Sequence, residues 1–120
     1  MDLKEIMEKR HFVVAGDTLN EEKYACKIKH ALQEHGYQVQ CVGKELPSLN
    51  DVEGPLEVVD LCIHPAKGIR LLRECEKPVG AVLIQPGAES DEIRHFLEEK
   101  QIPFLEGCAL VGLRLYAGEV

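Results

Sequence analysis

Short apolar runs alternate with amphipathic segments along the chain. The runs are residues 11–15 (HFVVA), 37–42, 57–64, 79–84 and 103–105, and each is typical of a buried strand. In the segments up to residue 35, from 65 to about 76 and from 90 to 100, apolar residues recur at helical spacing. A short amphipathic helix on Leu3, Ile6 and Met7 is expected before the first strand.

The first 42 residues predict a strand, a glycine loop, a helix and a second strand. This is a βαβ unit, whose crossover should be right-handed. Thr18 and Glu21 have the spacing of a capping box at the start of the helix, and Asn20 is an alternative N-cap. The apolar stripe of this helix consists of Tyr24, Ile28, Ala31, Leu32 and His35.

Because strands and helices alternate throughout, we predict an α/β fold. It is a doubly wound, mainly parallel five-stranded sheet with helices on both faces. No linker or repeat divides the chain, so residues 1–120 are expected to form one domain. Ligands of such sheets bind at the carboxyl ends of the strands, where the strand order reverses. The segments expected there are 16–20, 42–45, 64–67, 85–89 and 106–108.

The net charge of the chain limits the kinds of molecule that it is expected to bind. Fourteen basic and 21 acidic residues give a net charge of −7, which argues against nucleic acids and anionic membranes. One phosphorylated small molecule remains compatible, since a helix N-terminus and a lysine supply a local positive site. The first ten residues lack the apolar core of a signal peptide, and no apolar run approaches the roughly 20 residues that span a bilayer. We therefore expect a cytoplasmic protein.

Three positions at the predicted ligand edge are candidates for binding. Gly16 precedes a helix N-terminus that would suit a phosphate, or it merely forms the turn. Lys44 lies where NAD-binding proteins carry an acidic residue; a lysine suits a ribose phosphate, and a solvated surface lysine is the alternative. His64 follows the third strand beside Pro65 and could bind a ligand, transfer a proton, or only bond to backbone.

The cysteines number five, with no CxxC, which favours reduced thiols over disulfides or zinc. Cys62 and Cys75 are expected in the core. Cys26, Cys41 and Cys108 are expected near the ligand edge, where either a redox role or simple burial would explain them.

Five segments in order resemble the small CoA-binding proteins, a family similar to the CoA-binding domain of succinyl-CoA synthetase. They are FVVAGD at 12–17, EHGYQV at 34–39, VVDLCIHP at 58–65, VLIQPG at 82–87 and EGC at 106–108. The resemblance covers roughly residues 10–110 and implies a Rossmann-like fold. The chain departs from the family pattern at Ala15, Asp17, Leu83 and Gly107, where the family has glycine, serine, tryptophan and arginine.

The resemblance also implies a ligand path. Loop 16–18 would hold the pyrophosphate of coenzyme A, and Lys44 would meet the adenosine phosphate. Segment 64–65 would line the adenine or pantetheine path, segment 85–87 would border the pantetheine arm, and Cys108 would lie at the distal end. The family implies binding and no shared catalytic constellation. The ligand-binding residues that the resemblance implies are Gly16, Asp17, Thr18, Lys44, His64, Pro65, Gln85, Pro86, Gly87 and Cys108.

We therefore expect a small non-catalytic protein that binds coenzyme A or an acyl-CoA. The alternative is an NADP-linked or thiol-redox protein that uses the same nucleotide site. A third possibility, suggested by Asp17 and the absent glycine at position 15, is a scaffold that has lost its ligand. The apolar tail, 109–116, either covers the sheet edge or pairs with a second copy of the chain as a homo-oligomer.

Overall fold

Five strands form one sheet in which every pairing is parallel, in the order β2-β1-β3-β4-β5. The structure is a computed structural model that describes residues 1–117. It confirms the doubly wound α/β fold, because β1 lies between β2 and β3 and the chain runs outward from it in both directions. The strands are β1 (His11–Gly16), β2 (Gln38–Gly43), β3 (Leu56–Leu61), β4 (Val79–Ile84) and β5 (Phe104–Glu106).

Helices cover both faces of the sheet, as predicted. They are α1 (Leu3–Met7), α2 (Tyr24–Glu34), α3 (Pro65–Glu74), α4 (Asp91–Glu99) and α5 (Ala109–Tyr116), with a 3-10 turn at Leu49–Asp51. On one face, Leu72 of α3 and Leu97 of α4 pack with Val13 and Val59 of the sheet. On the other, α1, α2 and α5 pack against Phe12 and the rest of a second apolar cluster. Two separate cores therefore hold the sheet between them.

The predicted start of α2 is wrong. The helix begins at Tyr24, and its N-cap, Lys23, makes no side-chain capping bond. Thr18 does not cap it, because that side chain is 1% exposed and its hydroxyl donates to Glu45 Oε2 at 2.5 Å. The chain instead turns at Asn20, whose Oδ1 accepts from the N–H of Glu22 at 3.0 Å. Tyr24, expected in the apolar stripe, is consequently exposed.

The apolar tail forms α5 and covers a face of the sheet rather than its edge. Ala109 and Leu113 are buried in the cluster that contains α1 and α2. Gly112 allows the close packing, since a Cβ there would lie 2.7 Å from Met7 Sδ. Leu115 and Tyr116, at the end of the helix, are exposed. No helix among residues 1–117 combines the length and apolarity needed to cross a bilayer.

A carboxyl group is buried in the middle of the sheet. Asp60 on β3 is 0% exposed, and its Oδ1 accepts from Gln85 Nε2 at 2.7 Å. Its Oδ2 has no hydrogen-bond partner within the described residues. Burial raises the pKa of Asp60 to about 7, and the bond from Gln85 only partly offsets this. The folded protein therefore holds a proton that the unfolded chain releases at lower pH.

We expect this proton to make stability depend on pH. The pKa of Asp60 is about 7 in the folded state against an ordinary value of 3.8, so its contribution to stability falls as pH rises between these values. One proton corresponds to a slope of up to about 1.4 kcal/mol per pH unit. Urea unfolding of the wild type and Asp60→Asn at pH 5, 6, 7 and 8 should show that slope in the wild type between pH 5 and 6, its fading toward pH 8, and its loss in the variant.

Asp51→Asn is the matched control for this prediction, because Asp51 is an exposed carboxylate on the 3-10 turn. Its unfolding free energies should run parallel to those of the wild type. Parallel curves for Asp60→Asn as well would show that Asp60 is ionised throughout this range.

Candidate functional site

The ends of β1, β2 and β3 meet at Gly16 with no side chain between them. Gly16 lies opposite Gly43 in the pairing of β1 with β2. A Cβ at Gly16 would overlap the carbonyl oxygen of Cys62 and lie 2.8 Å from the Cβ of Ala25. A Cβ at Gly43 would lie 3.0 Å from the carbonyl oxygen of Gly16. Glycine is therefore required here by space, whatever else the loop does.

A groove opens at this point, where the strand order reverses. It has two adjoining compartments, which share Asp17, Lys44, Ile63 and Lys67. The α3 compartment, about 460 Å³, lies between the loop after β2 and helix α3; it is completed by Gly16, Gly43, Pro47, Arg70, Leu71 and Glu74. The β4 compartment, about 510 Å³, runs from the start of α2 to the loop after β4. Its further lining includes Lys23, Tyr24, Cys62, His64, Pro86 and Gly87.

The groove concentrates positive charge on a protein whose net charge is −7. It contains four cationic side chains against two carboxylates, Asp17 and Glu74. Within residues 1–117, none of the four lies within 4 Å of a carboxylate oxygen. An anionic ligand could therefore engage them without first breaking an ion pair. The four are Lys23, Lys44, Lys67 and Arg70.

Glu45 does not neutralise its neighbour Lys44, because it is engaged elsewhere. Its Oε2 accepts from the hydroxyl of Thr18 at 2.5 Å and from Lys29 Nζ at 2.9 Å. These bonds, first that from Thr18 and then that from Lys29, hold the pKa of Glu45 below its ordinary value. The network ties the loop after β1 to the loop after β2 and to helix α2. Lys44 is left exposed at the groove.

Two helices begin at the groove and differ in how their N-termini are satisfied. Helix α2 has no side-chain cap, and Lys23, Tyr24 and Ala25 line the β4 compartment. Its first N–H groups and partial positive charge therefore suit an anion. Helix α3 is capped by His64, whose Nδ1 accepts from the N–H of Ala66 at 3.1 Å. This bond places the ring proton of neutral His64 on Nε2.

The structure brings six of the ten predicted site residues to the groove: Gly16, Asp17, Lys44, His64, Pro86 and Gly87. It does not bring the other four. Thr18 and Gln85 are buried with Glu45 and Asp60 as partners, Pro65 begins α3, and Cys108 precedes α5 outside both compartments. His64 lines the β4 compartment, but β3 ends at Leu61, so His64 caps helix α3 rather than ending the strand.

Sequence reasoning did not single out Lys23, Lys67 or Arg70 as binding residues, although Lys67 lies in segment 64–67, which was expected at this edge. A signal for the last two was present, because residues three apart on a helix lie on one face and Pro65 marks the first position of α3. Lys23 could not be assigned, since the helix start was predicted too early. In both cases the missing information was the position of each helix relative to the ends of the strands.

The cysteines follow the predictions only in part. Cys26 and Cys41 are buried, which agrees with the simple-burial alternative. Cys62 and Cys75, expected in the core, are only half-buried, and Cys62 lines the β4 compartment. Burial raises the pKa of the Cys41 and Cys62 thiols to about 11. Both are therefore protonated at neutral pH and are poor nucleophiles. No group of three or more histidine, cysteine or acidic side chains in residues 1–117 is arranged to hold a metal ion.

A doubly wound sheet with a cationic groove at its reversal of strand order is typical of α/β proteins that bind nucleotides. Residues 10–114 match the model of the CoA binding domain family, so the chain belongs to that family. This confirms the resemblance seen in the sequence. No protein of curated function matches the chain significantly.

Solved structures share the fold. A conserved hypothetical protein from Pyrococcus furiosus is 25% identical with a TM-score of 0.75, covering 86% of this chain and 98% of that one. A protein from Thermus thermophilus is 21% identical with a TM-score of 0.81, covering 96% and 98%. A hypothetical protein from Pyrococcus horikoshii is 20% identical with a TM-score of 0.82, covering 96% and 92%. At these identities the likeness establishes the fold and not the ligand.

We expect Gly16→Ala to destabilise the protein by about 1–3 kcal/mol or more, because the added methyl group overlaps the backbone of Cys62. Gly68→Ala is the control. Gly68 lies inside α3, and a Cβ there would meet Ile63 at an ordinary 3.5 Å. Helix propensity should make this variant neutral or more stable by up to about 1 kcal/mol. Urea unfolding measures both, and equal effects would contradict the close approach at Gly16.

Proposed function

We propose that this protein binds coenzyme A or an acyl-CoA in the groove, in the cytoplasm, and carries out no chemistry of its own. The observation that supports this most is the placement of four cations, which have no carboxylate partner among residues 1–117, around Gly16 and the open N-terminus of α2. These groups lie in a chain that is otherwise acidic and belongs to the CoA binding domain family. Local positive charge on an acidic protein indicates a site for a small polyanion.

The two compartments suit the two halves of such a ligand. The pyrophosphate would lie near Gly16 and the first N–H groups of α2, where Lys23 and Lys44 supply counter-charge. The adenosine would enter the α3 compartment, whose walls include Pro47, Ile63 and Leu71. The pantetheine arm would follow the β4 compartment past Pro86 and Gly87. The carboxylate of Asp17, whose Oδ1 accepts from the N–H of Leu19 at 3.3 Å, would oppose the pyrophosphate, but the four cationic side chains of the groove outnumber it.

A binding role accounts for the groove better than a thiol-redox role. The thiol of Cys62 lies at the groove, but its pKa of about 11 leaves little thiolate at neutral pH. Cys26 and Cys41 are buried, and Cys108 lies outside both compartments. The nitrogen of His64 that could act as a base, Nδ1, is engaged by the backbone of α3.

Isothermal titration calorimetry of the reduced protein with coenzyme A tests the proposal. We expect binding that Lys44→Ala weakens roughly three- to tenfold, since a charged contact at a partly exposed site contributes on the order of 1 kcal/mol. Lys9→Ala is the control, because Lys9 is exposed near the opposite ends of the strands and should leave the affinity unchanged.

NADPH and NADH are titrated in the same way. Binding of NADPH without coenzyme A would replace the proposal by the NADP-linked alternative. Failure of all three ligands to bind would show that the groove no longer serves nucleotides.

A further inference from the structure

The α3 compartment contains a basic cluster of Lys44, Lys67 and Arg70. A diphosphate in the adjoining compartment would not neutralise all three charges. Lys67 and Arg70 are three residues apart, so they lie on the same face of α3. Lys44 belongs to the loop after β2, which forms the opposite wall of this compartment. All three side chains belong to exposed residues, and within residues 1–117 none pairs with a carboxylate.

The next turn of α3 shows that this arrangement is not general. Arg73, three residues after Arg70, pairs with Glu92 of α4 at 2.7 Å. Arg94 likewise contacts Glu106 at 2.8 Å, and Lys29 contacts Glu45 at 2.9 Å. Cationic side chains outside the groove thus include several that have acidic partners. Lys67 and Arg70 face the groove and have none in the described chain.

The distribution of the cations defines two anion positions. Lys23 and the open start of α2 lie only at the β4 compartment, whereas Arg70 lies only at the α3 compartment. Lys44 and Lys67 line both. A nucleotide that carries phosphate only on its 5′ side would satisfy the first position and leave Arg70 without a counter-ion. A further phosphate on the ribose would supply that counter-ion, and a guanidinium is well suited to bind it in a bidentate manner.

We propose that Lys67 and Arg70 are the specificity-determining residues of this site and select nucleotides phosphorylated on the ribose. The inference rests on the proposed function and names its ligand class: coenzyme A with its 3′-phosphate, in preference to dephospho-coenzyme A. Pro47, Ile63 and Leu71 provide the apolar surface for the adenine next to this cluster.

The experiment compares coenzyme A with dephospho-coenzyme A by calorimetry. The wild type should bind coenzyme A about tenfold or more tightly than the dephospho form, as expected for a charge-assisted phosphate contact. In the double variant Lys67→Gln/Arg70→Gln, the ratio of the two affinities should fall to within about twofold. Arg73→Gln is the matched control on the same helix, and it should keep the ratio of the wild type. Circular dichroism verifies that each variant is folded.

The outcomes separate the two proposals. If the wild type binds both ligands equally well, the selection by Lys67 and Arg70 is wrong while the proposed function stands. If it prefers coenzyme A and the double variant keeps that preference, the 3′-phosphate is recognised by other residues and the inference is again overturned. If neither ligand binds, both proposals fall. A ratio lost in the double variant and kept in Arg73→Gln supports the inference.

Discussion

The close approach of three strand ends at Gly16 is the constraint on which the rest of this structure depends. With no side chain at Gly16 or Gly43, β1 and β2 run side by side to the edge of the sheet, and the carbonyl of Cys62 packs directly against β1. The connections to α2 and α3 then leave in opposite directions, as the order β2-β1-β3 requires. The groove is the space between these connections. A side chain at Gly16 would overlap the carbonyl of Cys62 and so push these strand ends apart.

Thr18 and Glu45 determine how this edge is charged. A threonine three residues before a glutamate usually caps a helix, but here its hydroxyl is used to join the loops after β1 and β2. Two consequences follow. Thr18 does not cap helix α2, which starts six residues later without a side-chain cap and has its first residues in the lining of the β4 compartment. Glu45 is held by Thr18 and Lys29, and Lys44 has no carboxylate partner among residues 1–117. One interaction between distant residues therefore joins the two loops that border the candidate anion site.

Much of the fold could be predicted from the sequence, because it depends on local patterns. The five apolar runs became the five strands, and β4 has the predicted bounds, 79–84. Ser90 caps α4 as its side chain suggests, by accepting from the N–H of Ile93. The errors lie where a partner far along the chain decides the outcome. Thr18 bonds to a residue 27 positions away, and the environments of Cys41 and Cys62 follow from strand pairing and helix packing. Likewise, Lys67 and Arg70 can be assigned to the groove only when the position of α3 beside the loop after β2 is known.

Two buried polar side chains of the sheet, Asp60 and Gln85, lie outside the lining of the groove and hold the strand ends at its edge in position. Gln85 resembles a ligand residue in sequence, but its amide is buried on Asp60 of the neighbouring strand. Its backbone N–H donates to Leu61, and its carbonyl accepts from Ala88. Gln85 thus joins the ends of β3 and β4 just before Pro86 and Gly87 enter the groove wall. Asp60 is buried, and its Oδ2 has no hydrogen-bond partner within residues 1–117, which costs stability. The contact with Gln85 is therefore better explained as a way to fix the position of the loop after β4 than as a source of stability. The backbone at this part of the groove is thus held by Asp60 and Gln85, which are buried and which a ligand in the groove would not need to displace.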